Sequence, residues 1–361
     1  MEYTTIPNTD LNVSRICLGT MQFAGSVEGG TSDVTWGSID QATVNATVQA
    51  ALDAGVNFFD GAEAYGKDNQ AEKALGEAIR VSGKREEVII TSKFGKHLPL
   101  WETDDPQGAQ VSYDAAMITQ ALDASLAALQ TEYIDLYQVH WPGNMASHGE
   151  CVEVLEAAKA ARKIRHYGVC NFGTDDMAAF RAAGGAPVTN QLPYNLLWRS
   201  IEPRIVPCCI EGGMGILCYS PLQQGLLAGK TLSPEEVTEG RRRTRIYRPE
   251  TSEKTCHGSP GMEEPVFGPH GALESLRGIC KGAGCSMVDA ALGWLIAQPG
   301  VSCVIVGASS PEQMTRNAKL PRIDPAVAQQ CSEATAALKE LVAQQGNFVD
   351  QYAPKSRING T

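Results

Sequence analysis

Between residues 16 and 319, short apolar runs alternate with longer segments of helical periodicity, and eight such runs can be counted. They cover residues 16–19, 57–61, 88–94, 134–140, 167–171, 188–194, 215–220 and 303–307. Helical patterns fill the intervals, among them residues 41–54, 70–81, 113–129, 149–163 and 286–298. Leu122, Ser125, Leu126 and Leu129 fall at i, i+3, i+4 and i+7, which gives that segment one face to lay on a sheet. Strand–helix alternation on this scale predicts an α/β fold, a parallel sheet closed into a (β/α)8 TIM barrel. An open doubly wound sheet is the alternative, but it announces a dinucleotide site with GxGxxG after its first strand. Residues 18–23, Leu-Gly-Thr-Met-Gln-Phe, lack that pattern.

The chain reads as one domain over residues 1–361, with its core at about 10–320 and a carboxy-terminal helix and tail over 321–361. Residues 2–13 are expected to form a lid on the barrel base, and 325–345 an added helix. Two connections are too long for turns, 95–112 after the third strand and 222–270 after the seventh. Loops beyond about 15 residues are uncommon and are functional or mobile. Both leave carboxyl ends of strands, where barrel enzymes build their sites.

Thirty basic against 41 acidic side chains leave a net charge of −11, which argues against a nucleic-acid binder. No stretch approaches the roughly 18 apolar residues of a spanning helix. The amino end lacks the basic and apolar regions of a secretory signal, so an intracellular, cytoplasmic protein is expected, with a removed transit peptide left open. Eleven cysteines are dispersed without a CxxC pair and the six histidines show no ligand spacing, so no metal is expected. The oligomeric state is not legible.

Four ionisable residues gather at the ends of three consecutive strands. Asp60 and Tyr65 close the second, Lys93 the third and His140 the fourth. Neighbouring strands lie about 4.8 Å apart, so these side chains can converge. Each alone reads as a solvated strand end; together they make a proton-donating device. A free tyrosine titrates near pH ~10, and a nearby ammonium is expected to lower that value. Lys93 supplies the ammonium, Asp60 keeps it charged, and His140 can hold a carbonyl oxygen. The set suits carbonyl reduction, with Tyr65 protonating oxygen as hydride adds to carbon.

These segments resemble the aldo-keto reductase superfamily from about residue 10 to residue 320. Gly19, Thr20 and Met21 resemble its opening strand, and residues 59–66 its second-strand signature. Residues 91–93 and 138–142 follow in the family's order, and Asp60, Tyr65, Lys93 and His140 fall on its catalytic tetrad. The resemblance implies NADPH or NADH as cofactor, without metal or flavin, and aldehydes or ketones as small-molecule substrates. It implies a nicotinamide site with Thr20, Met21 and Asp60, with Cys170, Asn171 and Gln191 on the carboxamide, and with Tyr219 stacked on the ring. Ser220, Pro221, Leu222, Gly225, Leu226 and Lys230 continue along the pyrophosphate. Gly307, Ser309, Gln313, Arg316 and Asn317 resemble the motif that grips the adenosine and its 2′-phosphate at a helix start.

The chain departs from the family at three places. Cys170 stands where a hydroxyl residue is usual, and a thiol is a weak partner for the carboxamide. Gly61 replaces a common Thr or Ser. Gly307 stands where some branches place a lysine on the 2′-phosphate, which opens NADP against NAD; Arg316 and the arginines 241–243, 245 and 248 are candidate replacements for its charge.

Other motifs have plainer readings. Residues 225–231 imitate a phosphate-binding Walker loop but are one residue short. The arginine run from 241 reads as a solvated loop face or a cofactor-phosphate contact. Trp36, Phe94, Trp141 and Trp198 are candidates for a substrate pocket, with core packing as the competing reading. Glu63 is a candidate partner of the Asp60–Tyr65 pair. Cys208 and Cys209 read as small buried apolar residues. From its motif position, Cys170 is the cysteine whose oxidation is expected to matter most. Two rival functions stand: a lyase with a Schiff base on Lys93, and a cofactor-binding regulatory or channel-associated subunit with little turnover, since fold and site do not fix biological role.

Overall fold

The computed structural model describes residues 1–24, 39–95, 114–142, 148–229, 233–237, 246, 263–319 and 322–339. A two-stranded antiparallel hairpin, β1 (Tyr3–Thr5) and β2 (Asn12–Ser14), comes first. A closed barrel of parallel strands follows, made of β3 (Ile16–Gly19), β4 (Phe58–Asp60), β5 (Ile89–Phe94), β6 (Ile134–Val139), β7 (Ile164–Cys170), β8 (Thr189–Pro193), β9 (Gly215–Tyr219) and β10 (Val301–Gly307). Each strand pairs with its neighbours in chain order, and β10 closes the ring between β9 and β3.

Helices return the chain outside the barrel: α1 (Gln41–Asp53), α2 (Gln70–Ser82), α3 (Ala115–Leu129), α4 (His148–Ala160), α5 (Thr174–Ala182) and α6 (Ile205–Glu211). Helices α7 (Glu263–Phe267), α8 (Ala272–Ala283) and α9 (Met287–Ile296) lie between β9 and β10, followed by α10 (Pro311–Ala318) and α11 (Pro325–Ala334). Asp40, Asp114 and Ser286 cap α1, α3 and α9 by accepting from backbone N–H groups of the first turn. Among the described residues no single helix is long and apolar enough to cross a membrane.

The strands are almost wholly buried because both faces are covered, and most of their residues are apolar, with polar side chains such as Lys93, Asp135 and Gln191 buried among them. One face fills the barrel: Cys17, Phe58, Ile89, Leu136, Leu217, Cys303 and Ile305 pack with Ile6, Leu11 and Val13 of the hairpin segment. The hairpin therefore covers the amino-terminal end of the barrel, as expected for residues 2–13, and leaves the carboxyl ends of the strands for the site. The other face packs against the helices in a second, larger core.

Strand β7 begins at Ile164, three residues before its apolar run at 167, and the charges that hid it are the reason. Arg165 and His166 hold Asp10 beneath the barrel at 2.6 and 2.8 Å, and Arg165 also reaches buried Asp135 at 2.5 Å. Asp135 further accepts from Arg85 and from the Ile90 N–H, each at 2.9 Å. The expected helix 325–345 is observed as Pro325–Ala334 with a further helical turn to residue 339. Most of the two long connections, residues 96–113 and most of 230–262, lies outside the described residues, as does 340–361.

Candidate active site

Asp60 ends β4 and Lys93 is the penultimate residue of β5, and both are buried. The parallel register of β4 on β5 sets their side chains side by side in the mouth of the barrel. The Lys93 Nζ lies 2.8 Å from Asp60 Oδ2 and 2.8 Å from Asp60 Oδ1. It also donates to the Gly61 carbonyl at 2.8 Å and to the Tyr65 hydroxyl at 3.2 Å. Asp60 is fixed from two further sides. Its Oδ1 accepts from Gln191 Nε2 at 2.8 Å, and its carbonyl accepts from the Thr20 N–H and hydroxyl, each at 2.9 Å.

Tyr65 rides on the loop that follows β4. Gly61 N–H donates to the Thr91 carbonyl at 2.8 Å and Glu63 N–H to the Lys93 carbonyl at 3.2 Å, which fastens the loop to β5. The Glu63 carboxylate accepts from Gly95 N–H at 2.9 Å, so it holds the end of β5. The ring of Tyr65 is half-buried, with its hydroxyl turned inward to Lys93. His140 follows β6, its N–H bonded to the Phe94 carbonyl at 2.8 Å. Its ring meets that of Tyr65 edge-on, with centroids 6.1 Å apart, and stacks on Trp141 at 5.8 Å. The four expected residues thus surround one small volume.

The electrostatics differ from the sequence expectation in one respect. Burial raises the Tyr65 hydroxyl to about 12, and the neighbouring ammonium of Lys93 offsets only part of that. A phenolate here loses its hydration and also faces Asp60, so the group is held as a neutral donor. For Lys93, burial works against the charge, but Asp60 and then Tyr65 outweigh it and the ammonium is stabilised above its usual range.

The residues expected around the nicotinamide form a connected network. Asn171, with a left-handed backbone at φ 61°, donates from Nδ2 to the His140 carbonyl at 3.1 Å and accepts from the Tyr219 hydroxyl at 2.9 Å. Asn171 and Gln191 are thus already tied to His140 and Asp60. Cys170 is buried inside the barrel, and burial pushes its thiol well up, so it is a poor nucleophile. After β9, Ser220 turns at φ 52° and its carbonyl is held by Asn195 Nδ2 at 2.9 Å, leading through Pro221 and Leu222 to Gly225 at φ 99°. Leu226 is buried in the outer core, so its side chain does not face the barrel mouth, whereas Met21 is exposed beside β3.

At the last strand, Ser309 N–H and hydroxyl donate to Gln313 Oε1 at 3.0 and 3.1 Å, and Ser310 caps α10. Asn317 donates to the Gly307 carbonyl at 3.3 Å, and Arg316 is exposed on the same helix. Gln22, which the motifs did not single out, lies over Gly307: a Cβ on that glycine would come within 2.1 Å of Gln22 Nε2. Its position just beyond the opening strand was the available signal. Gln22 Oε1 and Asn317 Oδ1 are both buried with no hydrogen-bond partner among the described residues. Two such acceptors, on side chains that both meet Gly307 at the end of β10, fit a ligand that brings N–H or O–H donors.

Two pocket candidates are corrected. Phe94 is fully buried and stacked on Tyr137 at 5.1 Å between barrel and helices, because its place in β5 points it away from the barrel interior. Trp198 is likewise core. Trp141 remains at the mouth beside His140. Trp36 and Lys230, and the arginines 241–243, 245 and 248, lie outside the described residues. Among the described residues no group of three His, Cys, Asp or Glu is placed to hold a metal ion.

Residues 15–339 match the model of the Aldo/keto reductase family. The chain is 36% identical over 319 residues to the aldo-keto reductase YhdN of Bacillus subtilis, covering 87% of each chain. It is 28% identical over 355 residues to an NADH-specific methylglyoxal reductase of Escherichia coli, covering 95% of this chain and 99% of the relative. A glycerol dehydrogenase structure from Gluconobacter oxydans superposes with a TM-score of 0.71 at 27% identity, over 96% of both chains. With a closed eight-stranded barrel and agreement over nearly its whole length, the chain belongs to the aldo/keto reductase family of oxidoreductases.

Proposed function

We propose that the protein reduces aldehydes or ketones to alcohols with NADPH or NADH, and that Tyr65 is the proton donor. The observation that carries this reading is the buried ammonium of Lys93, bonded to Asp60 and 3.2 Å from the Tyr65 hydroxyl. The cofactor, when bound, supplies a hydride to the carbonyl carbon. Tyr65 gives its hydroxyl proton to the carbonyl oxygen as negative charge develops there. The phenolate left behind faces Lys93, whose charge Asp60 holds in place. That attraction grows only as the proton leaves, so it favours the transition state over the ground state. In this reading His140 holds the carbonyl oxygen and Trp141 covers it.

The residues that would hold the cofactor ring the same mouth. Thr20, Met21, Asn171, Gln191 and Tyr219 stand at the nicotinamide end, Ser220 to Gly225 along the pyrophosphate, and Ser309, Gln313, Arg316 and Asn317 with Gln22 at the adenosine end. The two unpartnered acceptors, Gln22 Oε1 and Asn317 Oδ1, support this fit.

The experiment is loss of reduced-nicotinamide absorbance, with NADPH and NADH in separate runs, against methylglyoxal, an aromatic aldehyde and a keto-sugar. The family's named methylglyoxal and glycerol enzymes put small polar carbonyls first. Turnover is expected, with Tyr65→Phe losing about 100-fold or more in kcat while still binding cofactor. Unchanged turnover in Tyr65→Phe defeats the assignment. Tight cofactor binding with no turnover moves the reading to a regulatory subunit.

A further inference from the structure

Glu72 lies in the first turn of α2 and is fully buried. Its Oε1 accepts from the Ser92 hydroxyl at 2.6 Å, and its Oε2 accepts from Asn69 Nδ2. No Lys, Arg or His forms a salt bridge with it among the described residues, and the like-charged Glu63 acts on it. The Ser125 hydroxyl of α3 faces the same carboxylate. Burying a carboxylate without a cation is costly, and a neutral side chain of the same volume fills this space equally well. Packing alone does not account for the charge.

The two donors that Glu72 holds identify what it joins. Ser92 immediately precedes Lys93 on β5. Asn69 ends the loop that carries Tyr65, where Asp68 and Asn69 both take left-handed backbone, at φ 54° and 59°. Ala71 N–H donates to the Tyr65 carbonyl at 3.1 Å, so the start of α2 grips the same loop. Of the contacts Lys93 makes, the one to Tyr65 is the longest at 3.2 Å, so it responds most to movement of that loop. A carboxylate accepts from both donors at once. A carboxamide can accept from only one, because its nitrogen is itself a donor.

We infer that Glu72 is a positioning residue: its carboxylate clasps the Tyr65 loop to the Lys93 strand and so fixes the distance between proton donor and ammonium. The inference rests on the assignment of Tyr65 as proton donor. It is tested by Glu72→Gln and by the reciprocal pair Glu72→Gln with Asn69→Asp, which exchanges donor and acceptor across one bond while keeping both shapes.

Amide hydrogen exchange is read over residues 61–71 and over the rest of the barrel, beside kcat, cofactor KM and melting temperature. Loss of one hydrogen bond to a charged group is expected to speed exchange in 61–71 about tenfold in Glu72→Gln. In that variant kcat falls about as much, cofactor KM holds, and the melting temperature is unchanged or higher because a buried charge is gone. The reciprocal pair returns exchange and kcat toward wild type. Unchanged exchange in 61–71 overturns the inference, as does acceleration spread evenly over the barrel with a lowered melting temperature, or acceleration that persists in the pair. A wild-type protein that fails to reduce carbonyls defeats the proposed reaction instead, and leaves the exchange readout standing.

Discussion

Lys93 Nζ and both carboxylate oxygens of Asp60 are 2.8 Å apart, with the two side chains 0% and 2% exposed. A buried ion pair this close is held less for stability than for the field it creates, since each charge forfeits hydration. That field points at Tyr65.

Lys93→Met removes the ammonium and keeps most of the volume. Tyr65 then faces Asp60 without the cation, so loss of its proton becomes harder. We expect kcat to fall by about 100-fold or more with cofactor affinity changed only slightly, read by steady-state kinetics beside fluorescence titration. A kcat within threefold of wild type, about 0.6 kcal/mol, rejects the role.

Alkaline pH should destabilise the fold through its buried tyrosines. Tyr65 titrates at about 12 when folded against 10.0 when free, and burial also raises Tyr137, Tyr167 and Tyr194. The folded state keeps protons that the unfolded state releases, so this stability is complete below pH 10 and disappears as pH rises through the folded values. For Tyr65 alone the loss approaches about 3 kcal/mol. Urea midpoints should therefore fall steeply above pH 10, and less steeply in Tyr65→Phe.

The two aspartates beneath the barrel should behave differently. Asp135 is fully buried between Arg85 and Arg165, so Asp135→Asn takes the carboxylate from Arg85, leaves Arg165 only Asp10, and costs about 3–5 kcal/mol. Asp10, held to about 2 by His166 and Arg165, is 68% exposed, and Asp10→Asn costs less than about 1 kcal/mol. Its carboxyl is depressed on folding, so the Asp10 contribution is present above its ordinary 3.8 and is lost as pH falls through 2. Urea melts of both variants at neutral and acid pH check the contrast.

Gly76 sits inside α2, where helix propensity alone favours alanine by about 1 kcal/mol. A Cβ there would come within 2.6 Å of the Ala128 carbonyl and 2.8 Å of Leu129 Cα. Those are backbone atoms of α3 and cannot rotate away. Gly76→Ala should lose about 1–3 kcal/mol in thermal melts; a stabilised variant refutes the close packing.

Cys170 should resist mild peroxide, since its thiol is buried and held protonated. Among the described cysteines, half-exposed Cys208 and Cys285 should react first, as peptide mass spectrometry would show. Rapid sulfenic acid formation at Cys170 contradicts this.

The alternation of apolar runs with helical patterns was enough to specify the barrel, because parallel strands covered on both faces are mostly apolar and short against the longer helical segments between them. The run at 16–19 coincides with β3, and Asp60, Tyr65, Lys93 and His140 were legible from their places at strand ends. Strand β7 was partly hidden, since Arg165 and His166 break its pattern to reach Asp10. What depends on neighbours distant in the chain was decided by the tertiary structure alone. Phe94 turns into the outer core, Gln22 lies over Gly307, Gln191 bonds Asp60 from 131 residues away, and Glu72 joins Asn69 to Ser92. The sign of the Tyr65 shift belongs with these. A sequence can place a lysine beside a tyrosine, but the balance between desolvation and attraction is set by how much protein surrounds the pair.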